Sequence, residues 1–294
     1  MLSNDDGDTL EKTNMLEIPE IQTIVQQLNT TVRGKEITDV VAAKSPHGFA
    51  FYYGSPSEYQ GKLIGKKWGT AKASGMFVEV AIEDATLLTS CGTIARFYQN
   101  VKDTPPKHQM LIEFADHSAL VFTIQMYGCL MVYLDDETPD SEFYQEYYQK
   151  SILKPSPLSD KFTEEYFGKI VSAAPPKTSL KAILTTEQRI PGLGNGVSQD
   201  ILFNARLNPQ TKISQISPGD QKRLFKSIKT TLKDMTEKGG RDTDKNLFGE
   251  PGGYHTLLSS KTISEPCPDC GSWMIKKAFL GGSIYFCPSC QPLV

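Results

Sequence analysis

Four cysteines near the C-terminus fall in two pairs, "CPDC" at Cys267 and Cys270 and "CPSC" at Cys287 and Cys290, with sixteen residues between the pairs. Two thiolate knuckles separated by enough chain for one β-hairpin suit a tetrahedral zinc ion. The intervening "SWMIKKAFLGGSIYF" reads as that hairpin, turning at Gly281-Gly282. The competing readings are two disulfides or four free thiols, and spacing together with the reducing compartment inferred below favours metal. A closed four-thiolate site leaves no open coordination position, so one structural Zn2+ is expected, with no catalytic part. The other two cysteines, Cys91 and Cys129, stand singly in apolar, strand-like stretches and read as buried core thiols.

A second stretch with chemical potential is "RIPGLGNGVSQDILFNARLNP", Arg189 to Pro209. A glycine-rich turn feeds a helix there, so backbone N–H groups and Asn195 are placed to face an anion at the helix start. It lacks the lysine of a nucleotide-binding phosphate loop, and no strand clearly precedes it. Taken alone, the turn is also a common way to join two helices. Just upstream, "KTSLKAIL" brings Lys177 and Lys181 close in sequence, so helix, glycine turn, helix and zinc hairpin together suggest a phosphate clamp.

Elements must hold these groups in place. From Pro19 to Val32 the apolar residues Ile21, Ile24, Val25 and Leu28 mark one face of an amphipathic helix. Short strand-like runs follow: "ITDVVAA", "FAFYY", "GMFVEVAI", "TLLTSC", "QMLIEF", "ALVFTI" and "CLMVYL", with "ADHS" as a hairpin turn. Many short strands with turns at this spacing indicate a β-sandwich or barrel. The period then becomes helical in "EEYFGKIVSAA", "TSLKAILT", "SQDILFNARL" and the long "PGDQKRLFKSIKTTLKDMTEKGG". The last is punctuated by Ser217 as N-cap, Pro218 as first helical residue and Gly239 as stop.

The 294-residue length is a prior for two domains, and 39% hydrophobic with 22% charged residues is ordinary for a soluble globular protein. No apolar run approaches the ~20 residues of a membrane helix, and the acidic N-terminus, with Asp5, Asp6, Asp8 and Glu11, carries no signal-peptide pattern. A cytoplasmic location is expected. The net charge of -3 argues mildly against a nucleic-acid partner. However, the acid is concentrated in the leader and in "DDETPDSEFYQEYYQ", while residues 221–245 are rich in Lys and Arg, so composition leaves the partner open.

The ordered set "LGNGVSQDILFNARLNP", the long helix, "EKGG", "GGYHTL" and "EPCPDC…YFCPSCQ" resembles the helix–two-turn–helix domain and C-terminal zinc finger of the formamidopyrimidine-DNA glycosylase and endonuclease VIII family. "MLEIPEIQT", Met15 to Thr23, resembles that family's opening Met-Pro-Glu-Leu-Pro-Glu phrase, and the resemblance runs in the same order from about residue 15 to 292. It implies a chemistry in which the N-terminal proline amine attacks the sugar carbon of a flipped-out damaged nucleotide. A Schiff base forms, the base leaves, and β-elimination cuts the strand, with the adjacent glutamate assisting proton transfer.

Here Leu16 stands in the proline's place and Glu17 matches the glutamate. Leu16 has no side-chain nucleophile, and its nitrogen is locked in a peptide bond whether the chain begins at Met1 or Met15. By the same resemblance the family's strand lysine aligns with Ser74, its void-filling Met with Ser90, its Arg–Phe pair with Met126–Tyr127, and its finger arginine with Gly282. Lys177, Asn195 and Tyr254 match positions that hold the DNA backbone or lie beside it, and Asp200 replaces a glutamate.

These readings imply an α+β multidomain protein: an acidic, disordered leader at 1–14, an N-terminal helix plus β-sandwich domain at 15–135, a linker at 136–160, a helix–two-turn–helix domain at 161–255 and a zinc finger at 256–294. The leading expectation is a monomeric protein that binds damaged or distorted double-stranded DNA, with its glycosylase and lyase chemistry lost or reduced. An active enzyme using a displaced amine, Lys72 or the Met15 terminus, is the alternative. Lys72 also reads as an ordinary solvated strand-edge lysine. A zinc-containing scaffold independent of nucleic acid is the third reading.

Overall fold

The computed structural model describes residues 15–293, so the leader read at 1–14 lies outside the described residues. Helix α1 (Ile18–Thr31) carries Pro19 in its first turn, and Glu20 accepts the Glu17 backbone N–H at 3.1 Å. Its apolar face, Ile21, Ile24 and Leu28, is buried against the strands. Those strands are β1 (Ile37–Ala42), β2 (Ala50–Phe51), β3 (Ala71–Ser74), β4 (Phe77–Ile82), β5 (Ala85–Ser90), β6 (Thr93–Tyr98), β7 (Met110–Phe114), β8 (Ala119–Ile124) and β9 (Gly128–Leu134), with a short helix α2 (Tyr59–Leu63) after β2.

They form two sheets, β2-β9-β5-β4-β3 and β1-β7-β8-β6, antiparallel throughout except for β2 beside β9. Alternating residues from both sheets meet in one apolar core with Trp68, Phe77, Phe114 and Phe122. The "ADHS" turn joins β7 to β8 as read from sequence, with His117 in the left-handed region. Two strands escaped the sequence reading. The β3 segment has small or polar residues, and β6 is interrupted by Arg96, so neither shows a clean apolar alternation. Conversely, only Ala50–Phe51 of "FAFYY" pairs into a sheet.

The stretch read as a linker carries a π-helical turn, Tyr144–Gln149, continued by α3 (Lys150–Ile152). Tyr144 and Tyr148 are buried in the core of the N-terminal domain, so much of this connection is packed and ordered. Beyond it, α4 (Glu164–Ala173), α5 (Leu180–Thr185), α6 (Asn195–Asn204) and α7 (Pro218–Glu237) enclose a second core around Phe167, Ile201, Leu224, Ile228 and Leu232. The ends of α7 are those read from sequence: Ser217 caps the Asp220 N–H, and Gly239 adopts φ 76° just beyond the helix.

The C-terminal hairpin pairs β10 (Ile275–Phe279) with β11 (Gly282–Phe286). Phe279 faces Gly282, so the two-residue turn is Leu280-Gly281, one residue earlier than expected. Both turn residues have positive φ, 51° and 70°, the combination of a type I′ turn that matches the twist of the strands.

Candidate functional site

An open cleft of about 600 Å³ lies where the two domains and the hairpin meet. Its walls include Met15 to Glu17, the Met126–Tyr127 turn before β9, Lys181 of α5, Asn195 and Gln199 of α6, the loop at Thr256 to Ser260, and the hairpin tip. Sites at such junctions admit large ligands without disturbing either core.

Leu16 is buried, and its backbone N–H donates to the Cys91 carbonyl at 2.9 Å. Next to it, Ile18 donates to the Gly192 carbonyl at 3.0 Å, so the first residues of the domain are stitched to both sides of the cleft. The Cys91 thiol touches the Met15 sulfur, and burial pushes it up to about 12, leaving it a neutral core thiol.

Glu17 points into the N-terminus of α6. Its carboxylate accepts the N–H groups of Gly194 at 2.9 Å, Gly196 at 2.7 Å and Val197 at 3.1 Å. The anion at this helix start is therefore the chain's own carboxylate, where the glycine-rich turn was expected to offer its N–H groups to a phosphate. The glycines serve that approach: a Cβ on Gly194 would lie 2.7 Å from the Glu17 carboxyl carbon, and one on Gly196 1.7 Å from Arg241 Nη1.

Arg241 completes a buried network. Its guanidinium meets Glu17 at 3.4 Å, Glu20 at 2.8 Å and Asp244 at 3.1 Å, and Glu20 also accepts its Nε and its backbone N–H. One cation faces three carboxylates in a buried site. Burial pushes Glu17 above the usual carboxylate range and Asp244 up to about 6, in both cases against the attraction of Arg241. Burial acts on Glu20 too, but there the Arg241 charge and its hydrogen bonds win and hold the carboxyl low.

The hairpin is fastened to the helices by polar side chains. Asn195 Nδ2 and Gln199 Nε2 donate to the Ser283 carbonyl at 3.1 and 3.0 Å, and Gln199 Oε1 accepts the Tyr285 N–H at 3.1 Å. Lys181 Nζ donates to the Phe279 carbonyl at 2.6 Å, and burial lowers the lysine from its ordinary value. A Cβ on Gly282 would stand 3.6 Å from Lys181 Nζ, so an ammonium already sits beside the hairpin tip. Asp200 is fully buried and accepts the Leu257 and Leu258 N–H groups at 2.9 Å each, and burial pushes it up to about 6.

The four tail cysteines converge. Their sulfurs all lie within 4.8 Å of one another, with Cys267 to Cys290 at 3.8 Å and Cys270 to Cys287 at 3.5 Å. These separations are far longer than a disulfide bond. They match the roughly 3.8 Å edge of a tetrahedron whose centre is about 2.3 Å from each sulfur. The donor set therefore fits one metal ion with no ligand position left over, and its residues stand outside the cleft wall.

Two family models match the chain, the formamidopyrimidine-DNA glycosylase N-terminal domain over residues 15–149 and the formamidopyrimidine-DNA glycosylase H2TH domain over residues 153–246. A formamidopyrimidine-DNA glycosylase from Geotalea daltonii is 30% identical over 291 residues, covering 94% of this chain and all of that protein. The chain belongs to the formamidopyrimidine-DNA glycosylase family. Its fold is also that of solved Lactococcus lactis Fpg structures, one with DNA containing N7-benzyl-Fapy-dG (TM-score 0.79, 22% identity, covering 94% of this chain and 99% of that one). Another holds DNA with an abasic site (TM-score 0.77, 21% identity, with the same coverage).

Within that family fold, the residues singled out from sequence separate into groups. Leu16, Glu17 and Asn195 line the cleft, and the Leu16 nitrogen is engaged. Tyr254 is buried behind the wall, with the Lys238 ammonium 5.3 Å from its ring centre. Lys177 is exposed in the turn before α5 and is not part of the cleft wall; Lys181, one helical turn on, is. Lys72 is exposed on β3, paired with Glu79 at 2.6 Å, and is likewise outside the wall. Arg241 and Gln199 escaped the sequence reading as site residues, while Lys181 was read there only as part of the phosphate clamp beside Lys177. Gln199 had a signal, since it follows Asn195 by four residues and so shares its helix face.

Proposed function

We propose that this protein binds damaged or distorted double-stranded DNA in the cleft, as a monomer, with one structural zinc in its four-cysteine finger and with the amine-dependent glycosylase and lyase chemistry lost. Family membership, and the DNA held by the Lactococcus relatives of the same fold, support the DNA partner. The observation that carries the loss of chemistry is at Leu16. The nitrogen at the nucleophile position is a peptide amide that donates to the Cys91 carbonyl at 2.9 Å, so it has neither a free lone pair nor freedom to approach a sugar carbon. Glu17 is equally committed, since three N–H groups and Arg241 occupy its carboxylate, which leaves little for proton transfer.

The displaced-amine reading rests on other groups. Lys72 is tied to Glu79 away from the cleft, whereas Lys181 and Met15 both stand in the wall, and burial already lowers the Lys181 ammonium. Borohydride trapping on a duplex with an abasic site separates the readings. No adduct is expected from the full chain. An efficient adduct overturns the inactive reading, and its loss in Lys181→Ala or on blocking the terminal amine would assign the nucleophile. Absence of DNA binding even at low salt would favour the scaffold reading.

A further inference from the structure

The hairpin tip carries a residue that its own backbone does not favour. Leu280 is the first residue of the type I′ turn and stands at φ 51°, in the left-handed region where a Cβ crowds the following carbonyl. Turns of this type ordinarily carry Asn, Asp or Gly there. Leu280 is also 52% exposed, lines the cleft and belongs to none of the apolar cores among the described residues. An isolated exposed leucine is ordinary on a protein surface. One that is also held in a strained conformation, in the wall of a cleft, points to a use.

The tip is held on both sides. Just before it, the Phe279 carbonyl accepts Lys181 Nζ at 2.6 Å. Just after it, the Ser283 carbonyl accepts Asn195 Nδ2 at 3.1 Å and Gln199 Nε2 at 3.0 Å. Strand β11 is seated through Ile284 and Phe286, both buried, whereas Ile275 to Ala278 of β10 are exposed. The turn is therefore fixed to α5 and α6 while its leucine stands in the cleft wall.

Cations stand beside it. Among the described residues, the charged groups of the cleft wall are Glu17, Arg241, Lys181 and Lys276. Glu17 and Arg241 answer each other, which leaves two lysines, both at the finger: Lys181 bonded to Phe279, and Lys276 on β10 with its ammonium 5.9 Å from the Tyr285 ring centre. An apolar point set among ammonium groups fits a polyanion with an apolar, stacked interior. In duplex DNA the lysines meet phosphates and the side chain enters between bases. We propose that Leu280 is an apolar wedge that parts two stacked base pairs of the DNA held in the cleft, so that the protein favours duplexes in which one step is already weakened. This rests on the DNA-binding reading above and adds to it the residue that senses distortion.

Fluorescence of 2-aminopurine, which brightens when the base loses its stacking neighbours, tests it on the full chain. The probe is a duplex with one mismatched pair and 2-aminopurine beside it, and the same duplex fully paired is the reference. The wild-type chain should brighten the mismatched duplex and, by anisotropy of labelled copies, bind it more tightly than the paired one. Leu280→Asn gives the turn a favoured residue, so its unfolding midpoint should stay or rise. The brightening should vanish in that variant, and affinity for the mismatched duplex should fall about tenfold, the scale of burying one leucine side chain. Leu280→Met keeps an apolar point and should keep both. A brightening that survives Leu280→Asn, or an unchanged affinity, overturns the wedge while the DNA-binding reading stands. An equal loss of affinity for both duplexes, with no brightening in the wild type, makes Leu280 a plain contact and also overturns it. A lower unfolding midpoint in Leu280→Asn refutes the strain on which the wedge rests. Binding to neither duplex overturns both readings.

Discussion

Replacing Arg241 with Met should expose the cost of the buried carboxylates. Arg241 is 2% exposed and is the cation that Glu17, Glu20 and Asp244 share. Methionine fills most of the volume but leaves three buried acidic groups without their cation. Removing one partner of a buried ion pair costs about 3–5 kcal/mol, because the remaining charge has neither water nor a counterion. That full deficit is expected at pH 8. The carboxylates then lower the cost by taking up protons, which fixes the direction of the pH dependence.

Glu17 and Asp244 are raised in the folded protein even with Arg241 present, and Asp244 stands at about 6 against an ordinary 3.8. A raised carboxyl contributes stability that is fully present below its unfolded value and is lost as pH rises through its folded value. Glu20 is the opposite case, held low by Arg241, so its contribution is present above its ordinary 4.5 and is lost on acidification. In Arg241→Met all three move to the raised class. Each proton held by the folded state but not by the unfolded chain restores about 1.4 kcal/mol per pH unit. Moving from pH 8 to pH 6 should therefore recover about 2–3 kcal/mol in the variant. Urea unfolding followed by far-UV circular dichroism at the two pH values measures this. A deficit below about 1 kcal/mol at pH 8, or one of equal size at both pH values, would refute the network as the junction between α1 and the helical domain.

Two further outcomes are accessible. One zinc per chain should be released by a strong chelator together with loss of the hairpin's protection from proteolysis, and Cys270→Ser should lower the metal content; reduced, freshly purified protein without metal would sink the assignment. Lys181→Ala and Asn195→Ala should each weaken duplex binding, and Lys181→Ala should reduce the slope of log affinity against log salt by close to one phosphate contact; an unchanged slope would remove Lys181 from the interface.

How much of this was legible in sequence depended on how local each signal is. The ends of α7 are written in three residues, Ser217, Pro218 and Gly239, each acting on its own turn, so they were readable. The metal site was readable because two short spacings already define a tetrahedron. The Glu17–Arg241 contact joins residues 224 apart in the chain, and nothing near either one announces the other. Lys177 was named as a DNA-backbone residue from the family resemblance, and Lys181 only as its neighbour in the clamp. What sequence did not show is that Ser179 caps α5, which leaves Lys177 in the preceding turn while Lys181 takes a place in the first turn of the helix, in the cleft wall.

The cradle at α6 changes how anion recognition in this cleft has to work. A helix start with glycines and free N–H groups ordinarily attracts phosphate. Here those groups are taken by Glu17, and Arg241, only 2% exposed, spends its guanidinium on Glu17, Glu20 and Asp244. On the proposed DNA-binding reading, phosphate recognition in the cleft would fall to groups on its rim. Lys181 spends one of its three N–H donors on the Phe279 carbonyl, and Asn195 spends one of its two on the Ser283 carbonyl, which leaves donors on both. Both bonds end on the hairpin, so the posture of the finger sets where the remaining donors point. On the same DNA-binding reading, a metal held by the four cysteines outside the cleft would bear on DNA affinity through those two side chains, with no contact between ion and phosphate.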